Sequence, residues 1–226
     1  MGGRESRLRD RAAMIQALRL EVDDVAVARG GRRLFAHLSF RAGPDDYIEI
    51  TGANGVGKSS LLRALAGLLN PESGRVAITS NLGPLNSEEM AAAVHLVGHK
   101  NGLKAPLPAG EHARYWRALF GGGDEDAALA RLGLAGLSER PARALSAGQA
   151  RRLALARLLI APRPIWLLDE PAAGLDIAGR ALLLGLVGDH LAAGGMVIAA
   201  VHEPIGARPA LSISLDALRA EATPTP

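Results

Sequence analysis

Apolar and polar residues alternate along much of the first third of the chain, the pattern of strands with one buried face. This alternation predicts strands over 18–28, 34–40, 47–51 and 76–78. Leucines recur at helical spacing over 59–69, which predicts a helix that buries one face. A glycine-rich turn joins the third strand to this helix, so the local order is strand, turn, helix.

The rest of the chain combines helical segments with continuous apolar runs. Residues from about 100 to 155 show no strand-like alternation. Helical spacing predicts helices over 112–120, 125–132 and 178–192. Apolar runs at 165–168 and 196–201 are typical of strands covered on both faces of a parallel sheet. Together these segments predict an α/β core interrupted by a helical insertion.

Composition narrows the chemistry that the chain can perform. It has 226 residues, of which 48% are apolar, and a formal charge of +3. It contains no cysteine, which excludes disulfides, thiolate metal sites and cysteine nucleophiles. Its apolar runs are shorter than the roughly 20 residues that span a bilayer. The arginines are scattered and form no stripe with aromatic residues, so no nucleic-acid partner is predicted.

One octapeptide has the spacing of a phosphate-binding loop. It reads Gly52-Ala53-Asn54-Gly55-Val56-Gly57-Lys58-Ser59, and Ser60 follows it at the predicted nucleotide site. Glycines let backbone N–H groups turn toward phosphate oxygens, and the next helix adds partial positive charge. Lys58 is predicted to reach the β- and γ-phosphates, and the Ser59 hydroxyl to bind Mg²⁺, which prefers oxygen ligands. The alternative is a glycine-rich turn that contains Lys-Ser by chance.

Two adjacent acids, Asp169 and Glu170, end the apolar run at 165–168. Ligands of open α/β sheets lie beyond the carboxyl ends of the strands, so both side chains can face the phosphate loop. Asp169 is predicted to hold Mg²⁺, and Glu170 to orient or deprotonate the attacking water. The alternative is an acid pair that caps the next helix.

Three further motifs complete an ordered set. Leu145-Ser146-Ala147-Gly148-Gln149 precedes a helix predicted over 150–160, for which Ser146 is also a good N-cap. Gly174-Leu175-Asp176 and then His202 follow the acid pair. In this order the set resembles the ABC ATPase family, and the resemblance covers about residues 18–216.

The resemblance implies a domain organisation. It predicts a P-loop ABC ATPase core, which is a RecA-like parallel sheet with an antiparallel β subdomain. The insertion at about 100–155 becomes an α-helical subdomain of this core. The whole ATPase domain is predicted to span 17–222, between a flexible extension at 1–16 and a disordered tail at 223–226.

The resemblance also implies roles for the motifs. The signature Ser146–Gln149 is expected to bind the γ-phosphate of ATP held by the phosphate loop of a second copy. This predicts a head-to-tail homodimer that ATP closes. Asp176 is expected at the dimer interface, and His202 is expected to contact the γ-phosphate. Ala147 stands where the family signature has a glycine.

Two positions depart from the family pattern. His99 stands where most members have a glutamine that senses Mg²⁺ and the attacking water; an imidazole can still bond these groups but responds to pH. Arg29 stands where many members stack an aromatic residue on adenine, and a guanidinium plane can also stack on a base. The alternatives are a loop residue without a special role and a solvated hairpin residue.

Three stretches make the resemblance more specific. These are Gly98-His99-Lys100-Asn101-Gly102-Leu103-Lys104, the Ala147 form of the signature, and Trp166-Leu167-Leu168-Asp169-Glu170. They look like CcmA, the family of ATPase subunits of the ABC complex for cytochrome c maturation. The resemblance implies CcmB- and CcmC-like integral-membrane partners and peripheral association with the cytoplasmic face of a bacterial inner membrane. It also implies that Mg-ATP hydrolysis powers haem export or delivery.

Three other functions stay open. The chain is alternatively the ATPase of another ABC exporter or importer, which His99 and Ala147 disfavour. It is alternatively an ATP-gated interaction module, which Glu170 disfavours because non-hydrolysing members often lack this acid. A soluble member acting on nucleic acid or ribosomes is disfavoured because such proteins carry a long coiled coil or a second cassette.

Overall fold

The structure, a computed structural model, describes residues 18–219. The extension predicted for 1–16 and the tail predicted for 223–226 lie outside the described residues. The elements are β1 (Arg19–Arg29), β2 (Arg32–Ala42), β3 (Tyr47–Thr51), α1 (Lys58–Leu65), β4 (Ser73–Ser80), β5 (Gly83–Pro84), α2 (Ser87–Ala93), β6 (Val94–Val97), α3 (Ala109–Phe120), α4 (Glu125–Arg131), α5 (Ala147–Ile160), β7 (Ile165–Asp169), α6 (Ile177–Ala192), β8 (Met196–Ala200) and β9 (Leu211–Ser214). Short 3-10 helices occur at Ala135–Leu137, Ala142–Ala144 and Leu215–Leu218.

The strands form two sheets. One is antiparallel with the order β2-β1-β4-β5, and Val25, Val27 and Phe35 of its first two strands are fully buried. The other is parallel with the order β6-β7-β8-β3-β9. Strands β7 and β8 are buried along their whole length, as their continuous apolar runs predict.

The order of the parallel sheet determines where a ligand site can form. Strands β7, β8 and β3 are direct neighbours, and parallel strands end at the same edge of a sheet. The phosphate loop after Thr51, the acids that begin at Asp169 and the segment that carries His202 therefore leave this edge side by side.

Helices α3, α4 and α5 follow β6 and precede β7 in the chain, in the region predicted to be helical. They pack on one another. Their shared core includes Leu129, Leu132 and Leu153, which are all at most 1% exposed. Arg157 of α5 lies over the Trp116 ring of α3, 5.0 Å from its centre. Within residues 18–219, no helix has both the length and the apolar character that crossing a bilayer requires.

The helix predicted over 59–69 is shorter than expected. Helix α1 ends at Leu65, because Gly67 takes a left-handed conformation with φ of 71°. Leu61, Leu62 and Leu65 form the predicted buried face, but Leu68 lies beyond the helix and is 69% exposed. The prediction that Leu68 belongs to this face was wrong.

Buried His95 makes the free energy of unfolding depend on pH. Its Nε2 lies 2.6 Å from the carbonyl oxygen of Ala161, and burial lowers the pKa of His95 from 6.5 to about 4, although this bond opposes the shift. Between these pH values the unfolded chain binds a proton that the folded chain does not. Stability therefore falls as the pH drops, by about 3 kcal/mol for this group.

We expect His95→Gln to lose this part of the pH dependence. The amide can still donate to Ala161 but does not titrate. The measurement is the free energy of unfolding of both chains at about pH 7.5 and about pH 4.5. His37→Asn is the control, because His37 is exposed and Asn tolerates its positive φ. An equal acid sensitivity in His95→Gln and wild type would contradict the burial argument.

Candidate nucleotide-binding site

The phosphate loop connects β3 to α1 in a conformation that requires glycine. Gly52 has φ of 139°, and a Cβ there would lie 2.9 Å from the Val56 side chain. Gly57 has φ of 121°, and a Cβ there would lie 3.0 Å from the Phe35 ring. Both distances are shorter than ordinary Cβ contacts, so this tight curl of the backbone depends on glycine.

The positive charge of the loop is concentrated at the first turn of α1. Gly57 occupies the N-cap position, where it offers no side chain to the first backbone N–H groups. Lys58 is the first helical residue and is 6% exposed. Its ammonium group donates to the carbonyl oxygens of Gly52 at 2.6 Å and of Ala53 at 3.2 Å. A helix N-terminus with an adjacent lysine suits an anion such as a phosphate.

A cleft of about 540 Å³ opens beside this loop. Its lining consists of Arg29, Leu34, Asn54, Gly55, Gly57, Lys58, Ser59, Ser60, His99, Glu170 and His202. Predicted site residues from separate segments of the chain therefore lie together. Ala53 and Val56 line a smaller recess on the adjoining side of the loop. Among the described residues, those that line the large cleft do not include Asp169, Asp176 or any residue of the signature.

Glu170 lies between two histidines. Its carboxylate is 3.1 Å from Nδ1 of His99 and 3.4 Å from Nε2 of His202. The same Nε2 lies 2.5 Å from the side-chain oxygen of Asn54, which links His202 to the phosphate loop. The Glu170 side chain is 23% exposed, so its carboxylate is partly open to the cleft. Two imidazoles thus contact one carboxylate, and the Asn54 amide contacts one of these imidazoles.

The backbone of Glu170 is held in an uncommon conformation. Its φ is 50°, and the left-handed region costs a non-glycine residue about 1–2 kcal/mol. Its N–H donates to Ala200 of β8 at 2.8 Å, and its carbonyl oxygen accepts from Ala173 at 3.1 Å. Neighbouring Asp169 ends β7 and is 5% exposed. The turn at Glu170 therefore separates a buried acid from one that faces the cleft.

The signature lies at the N-terminus of α5, and its predicted helix begins earlier than 150. Ser146 caps the helix: its Oγ accepts from the N–H of Gln149 at 3.2 Å, and the Gln149 side chain accepts from Ser146 N–H at 2.9 Å. Ser146 and Ala147 are exposed, and a Cβ at Gly148 would lie 3.1 Å from the Gly174 carbonyl oxygen. Capping is thus one role of Ser146, and the helix end remains open to solvent.

Comparison with known proteins decides the family. The family model described as ABC transporter matches residues 35–173. The chain belongs to the ABC transporter family. It is 42% identical to "Cytochrome c biogenesis ATP-binding export protein CcmA" from Brucella abortus, over 89% of this chain and 93% of the relative. It is 46% identical to the protein of the same name from Rhodopseudomonas palustris, over 79% of this chain and 88% of the relative.

A solved structure confirms the predicted ABC ATPase fold. An ABC transporter ATP-binding protein from Pyrococcus furiosus matches with a TM-score of 0.75 at 20% identity, covering 89% of this chain and 100% of the other. The chain is therefore an ABC ATPase, and it binds ATP. The glycine curl, the Lys58 ammonium and the volume of the cleft fit a nucleoside triphosphate.

The residues at the cleft also fit a magnesium ion. Ser59 lines the cleft with a hydroxyl, and Asp169 stands at the adjoining strand end. Over residues 18–219 no three His, Asp or Glu side chains converge as a metal site. One hydroxyl and one carboxylate are enough for Mg²⁺, which binds one or two protein oxygens together with water and phosphate oxygens.

The positions of Arg29 and Asp176 fit their predicted roles and also simpler structural ones. Arg29 is exposed at the end of β1 and lines the cleft, a position that allows both base stacking and solvation. Asp176 caps α6, and its carboxylate accepts from Gly179 N–H at 2.7 Å. The assigned roles of both residues stay predictions.

The sequence-based prediction did not include two residues that lie near the site. The Asp216 carboxylate accepts from the N–H of Ala53 at 3.0 Å and so supports the phosphate loop from the C-terminal 3-10 helix. Arg151 of α5 is 2% exposed and bonds the backbone around Glu170. A sequence signal for Arg151 was available. Leu155 and Leu158 follow it by four and seven residues, and this helical spacing places the arginine on the buried face of α5.

Proposed function

We propose that the chain is the Mg-ATP-hydrolysing subunit of an ABC membrane complex that serves cytochrome c biogenesis. The observation that carries the proposal is the convergence of the phosphate loop, Glu170 and His202 in one cleft. The relatives named for cytochrome c biogenesis support the cellular role, because they match this chain over most of its length.

The chain's own residues account for hydrolysis. Backbone N–H groups of the phosphate loop and the Lys58 ammonium bind the β- and γ-phosphates. Glu170 orients the attacking water toward the γ-phosphorus and accepts its proton. His99 and His202 hold the carboxylate in place, and His202 lies near enough to the loop to donate to the γ-phosphate. Most of the catalytic effect is positioning and charge compensation.

Ser59 and Asp169 would hold Mg²⁺, with His99, which also lines the cleft, as a further candidate. When bound, the ion neutralises charge that develops on the phosphate oxygens. Asp169 would bind it through water, which is compatible with the burial of this side chain. Arg29 offers a guanidinium plane for the adenine.

A second copy completes the site. The N-terminus of α5 carries backbone N–H groups and an exposed Ser146, which suit a phosphate. It lies outside the cleft of its own chain, so in this proposal it binds the γ-phosphate held by the partner. The Gly174 carbonyl oxygen lies beside Gly148, which supports a role for the Asp176 segment at the same interface.

The proposed partners are CcmB- and CcmC-like integral-membrane subunits at the cytoplasmic face of a bacterial inner membrane. In this assembly, ATP-driven closure and reopening of the dimer powers haem export or delivery to apocytochromes. Support comes from the named relatives and from the specific sequence stretches around His99, Ala147 and Glu170.

The test is purification of the tagged full chain from membranes of its own host, with cytochrome c staining in a deletion strain. We expect integral-membrane proteins to co-purify, and c-type cytochromes to be lost and restored by wild type but not by Glu170→Gln. Normal cytochromes in the deletion strain would contradict the biogenesis role. Co-purification with ribosomes or DNA would support the soluble alternative.

His99→Gln and His99→Ala test whether a hydrogen-bond donor at this position orients the Glu170 carboxylate. Glutamine can donate to Glu170 in place of the imidazole, so we expect basal ATP turnover within about threefold of wild type. His99→Ala loses one charged hydrogen bond and should lose about tenfold. The measurement is steady-state ATP turnover of both variants. Equal rates in both, or loss of ATP binding in His99→Gln, would contradict the placement of His99.

A further inference from the structure

Arg151 is a buried arginine whose five N–H donors are all bonded. It is 2% exposed and projects from the second turn of α5. Its donors reach the carbonyl oxygens of Pro171 (3.1 Å), Gly98 (2.8 Å), Asp169 (2.7 Å) and Glu170 (2.9 Å) and the side-chain oxygen of Asn101 (3.2 Å). A guanidinium has five N–H groups, so this one is saturated.

The acceptors belong to two segments of the catalytic cleft. Asp169, Glu170 and Pro171 form the end of β7 and the turn after it. Gly98 and Asn101 flank His99, which contacts the Glu170 carboxylate from the other side. One side chain therefore fastens the segment that carries Glu170 to the segment that carries His99, and fastens both to α5.

Packing alone does not require a charge at this position. Leu155 and Leu158 occupy the same face of α5 and are at most 1% exposed, so an apolar side chain would satisfy the helix. Burial lowers the pKa of the Arg151 guanidinium, and the charges of Asp169 and Glu170 oppose that shift. A buried charge is costly unless it is fully bonded, which makes the complete set of partners informative.

The bond to Glu170 acts on a strained part of the backbone. Glu170 has a left-handed φ, and its carbonyl oxygen accepts from Arg151 as well as from Ala173. Without Arg151, the carbonyl groups of Asp169 and Glu170 would lose partners in a buried place. The turn would then relax, and the Glu170 carboxylate would no longer be oriented toward the attacking water.

We propose that Arg151 is a positioning residue that fixes the backbone of Glu170 and couples it to the helix that carries the signature. The inference rests on the proposed ATPase function of the same cleft. Helix α5 begins at the signature. If dimer closure shifts this helix, the Arg151 side chain therefore moves with it and displaces the Glu170 carbonyl group to which it is bonded. Arg157 adds a second attachment, from its guanidinium to the Asn101 carbonyl oxygen at 3.0 Å.

The test compares Arg151→Lys with Arg152→Lys in the full chain purified with its membrane partners. Arg152 is the matched control, since it bonds the Leu132 carbonyl oxygen in the helical layer, away from the cleft. We expect Arg151→Lys to lower kcat by about 10- to 100-fold and to leave the Kd for ATP within about twofold, because the phosphate loop is untouched. Arg152→Lys should change neither value.

Two results would overturn the inference. One is an unchanged kcat in Arg151→Lys. The other is a parallel loss of kcat, ATP affinity and melting temperature, which indicates a merely structural role. Should Arg151→Lys fail to fold, Asn101→Ala removes one acceptor while retaining the arginine. It should lower kcat by about threefold at unchanged Kd, and wild-type kcat in it would then count against the inference.

A double-variant cycle separates this inference from the proposed function. In a Glu170→Gln background, Arg151→Lys should cause no further loss in single-turnover hydrolysis, because Arg151 acts through Glu170. Additive losses would contradict that route. Full turnover in Glu170→Gln alone would overturn the assigned catalytic site, whereas a dead Glu170→Gln with a normal Arg151→Lys would overturn only the inference.

Discussion

Glu170→Gln is expected to stop ATP turnover while ATP stays bound. The amide keeps the shape of the side chain and can accept a bond from His99, but it cannot take a proton from the attacking water. Loss of a positioned general base typically lowers kcat by about 10²- to 10⁴-fold. The phosphate loop is unchanged, so the Kd for ATP should rise by less than about twofold. Steady-state turnover and equilibrium nucleotide binding measure the two quantities.

The second expected effect of Glu170→Gln is a trapped dimer. Without hydrolysis, the closed state should persist, so ATP should shift the variant to twice the mass in size-exclusion chromatography with light scattering. Glu88→Gln is the control, because Glu88 is exposed in the first turn of α2. Normal turnover in Glu170→Gln would remove the role assigned to this carboxylate.

Lys58→Ala is expected to lose ATP affinity. Lys58 is 6% exposed, its ammonium donates to the carbonyl oxygen of Gly52 in the phosphate loop, and its proposed role is to bind the β- and γ-phosphates. A hydrogen bond to a charged group contributes about 1.5–3 kcal/mol, so the Kd should rise about 10- to 100-fold. Isothermal titration calorimetry with ATP measures the change directly.

The control for Lys58→Ala is Lys104→Ala, an exposed lysine outside the lining of the cleft. It should bind ATP like wild type. Melting curves of both variants are needed because Lys58 also bonds Gly52 and Ala53 in the loop. A folded Lys58→Ala chain with wild-type affinity would show that the triphosphate binds elsewhere.

Much of the fold was predictable, because the apolar runs in the sequence correspond to strands that are buried in the structure. The runs at 47–51 and 165–168 mark β3 and β7 to within one residue, since both strands are buried almost throughout. Because ligands lie beyond the carboxyl ends of parallel strands, the position of Glu170 in the sequence was enough to predict that it faces the cleft beside the phosphate loop, whereas Asp169 is buried and does not line that cleft. The order of motifs identified the family, which the family model confirms.

Other elements gave little signal for physical reasons. Strand β9 has only four residues and is mostly exposed, so its brief Leu-Ser-Ile-Ser alternation is a weak signal, and Asp216 in the 3-10 helix that follows could not be placed without it. Strand β6 is short, and polar His95 interrupts its apolar run. Helix α2 is defined by a capping box at Asn86 and Glu89 more than by a buried face.

The arrangement around Glu170 could not be predicted from one sequence. The contacts of Glu170 with His99 and His202 join residues that are distant in the chain, and spacing does not report such contacts. Arg151 shows the same limit, because its five partners come from segments that only the folded sheet brings together. Local patterns selected the candidate residues, and the parallel sheet determines which of them meet.

The most direct measurement is a crystal or cryo-electron microscopy structure of Glu170→Gln with Mg-ATP. We expect two chains head to tail, each triphosphate bound by Lys58 and the loop of one copy and by Ser146 and Gly148 of the other. A nucleotide-loaded structure in which Ser146 and Gly148 touch no phosphate in any assembly would contradict the account.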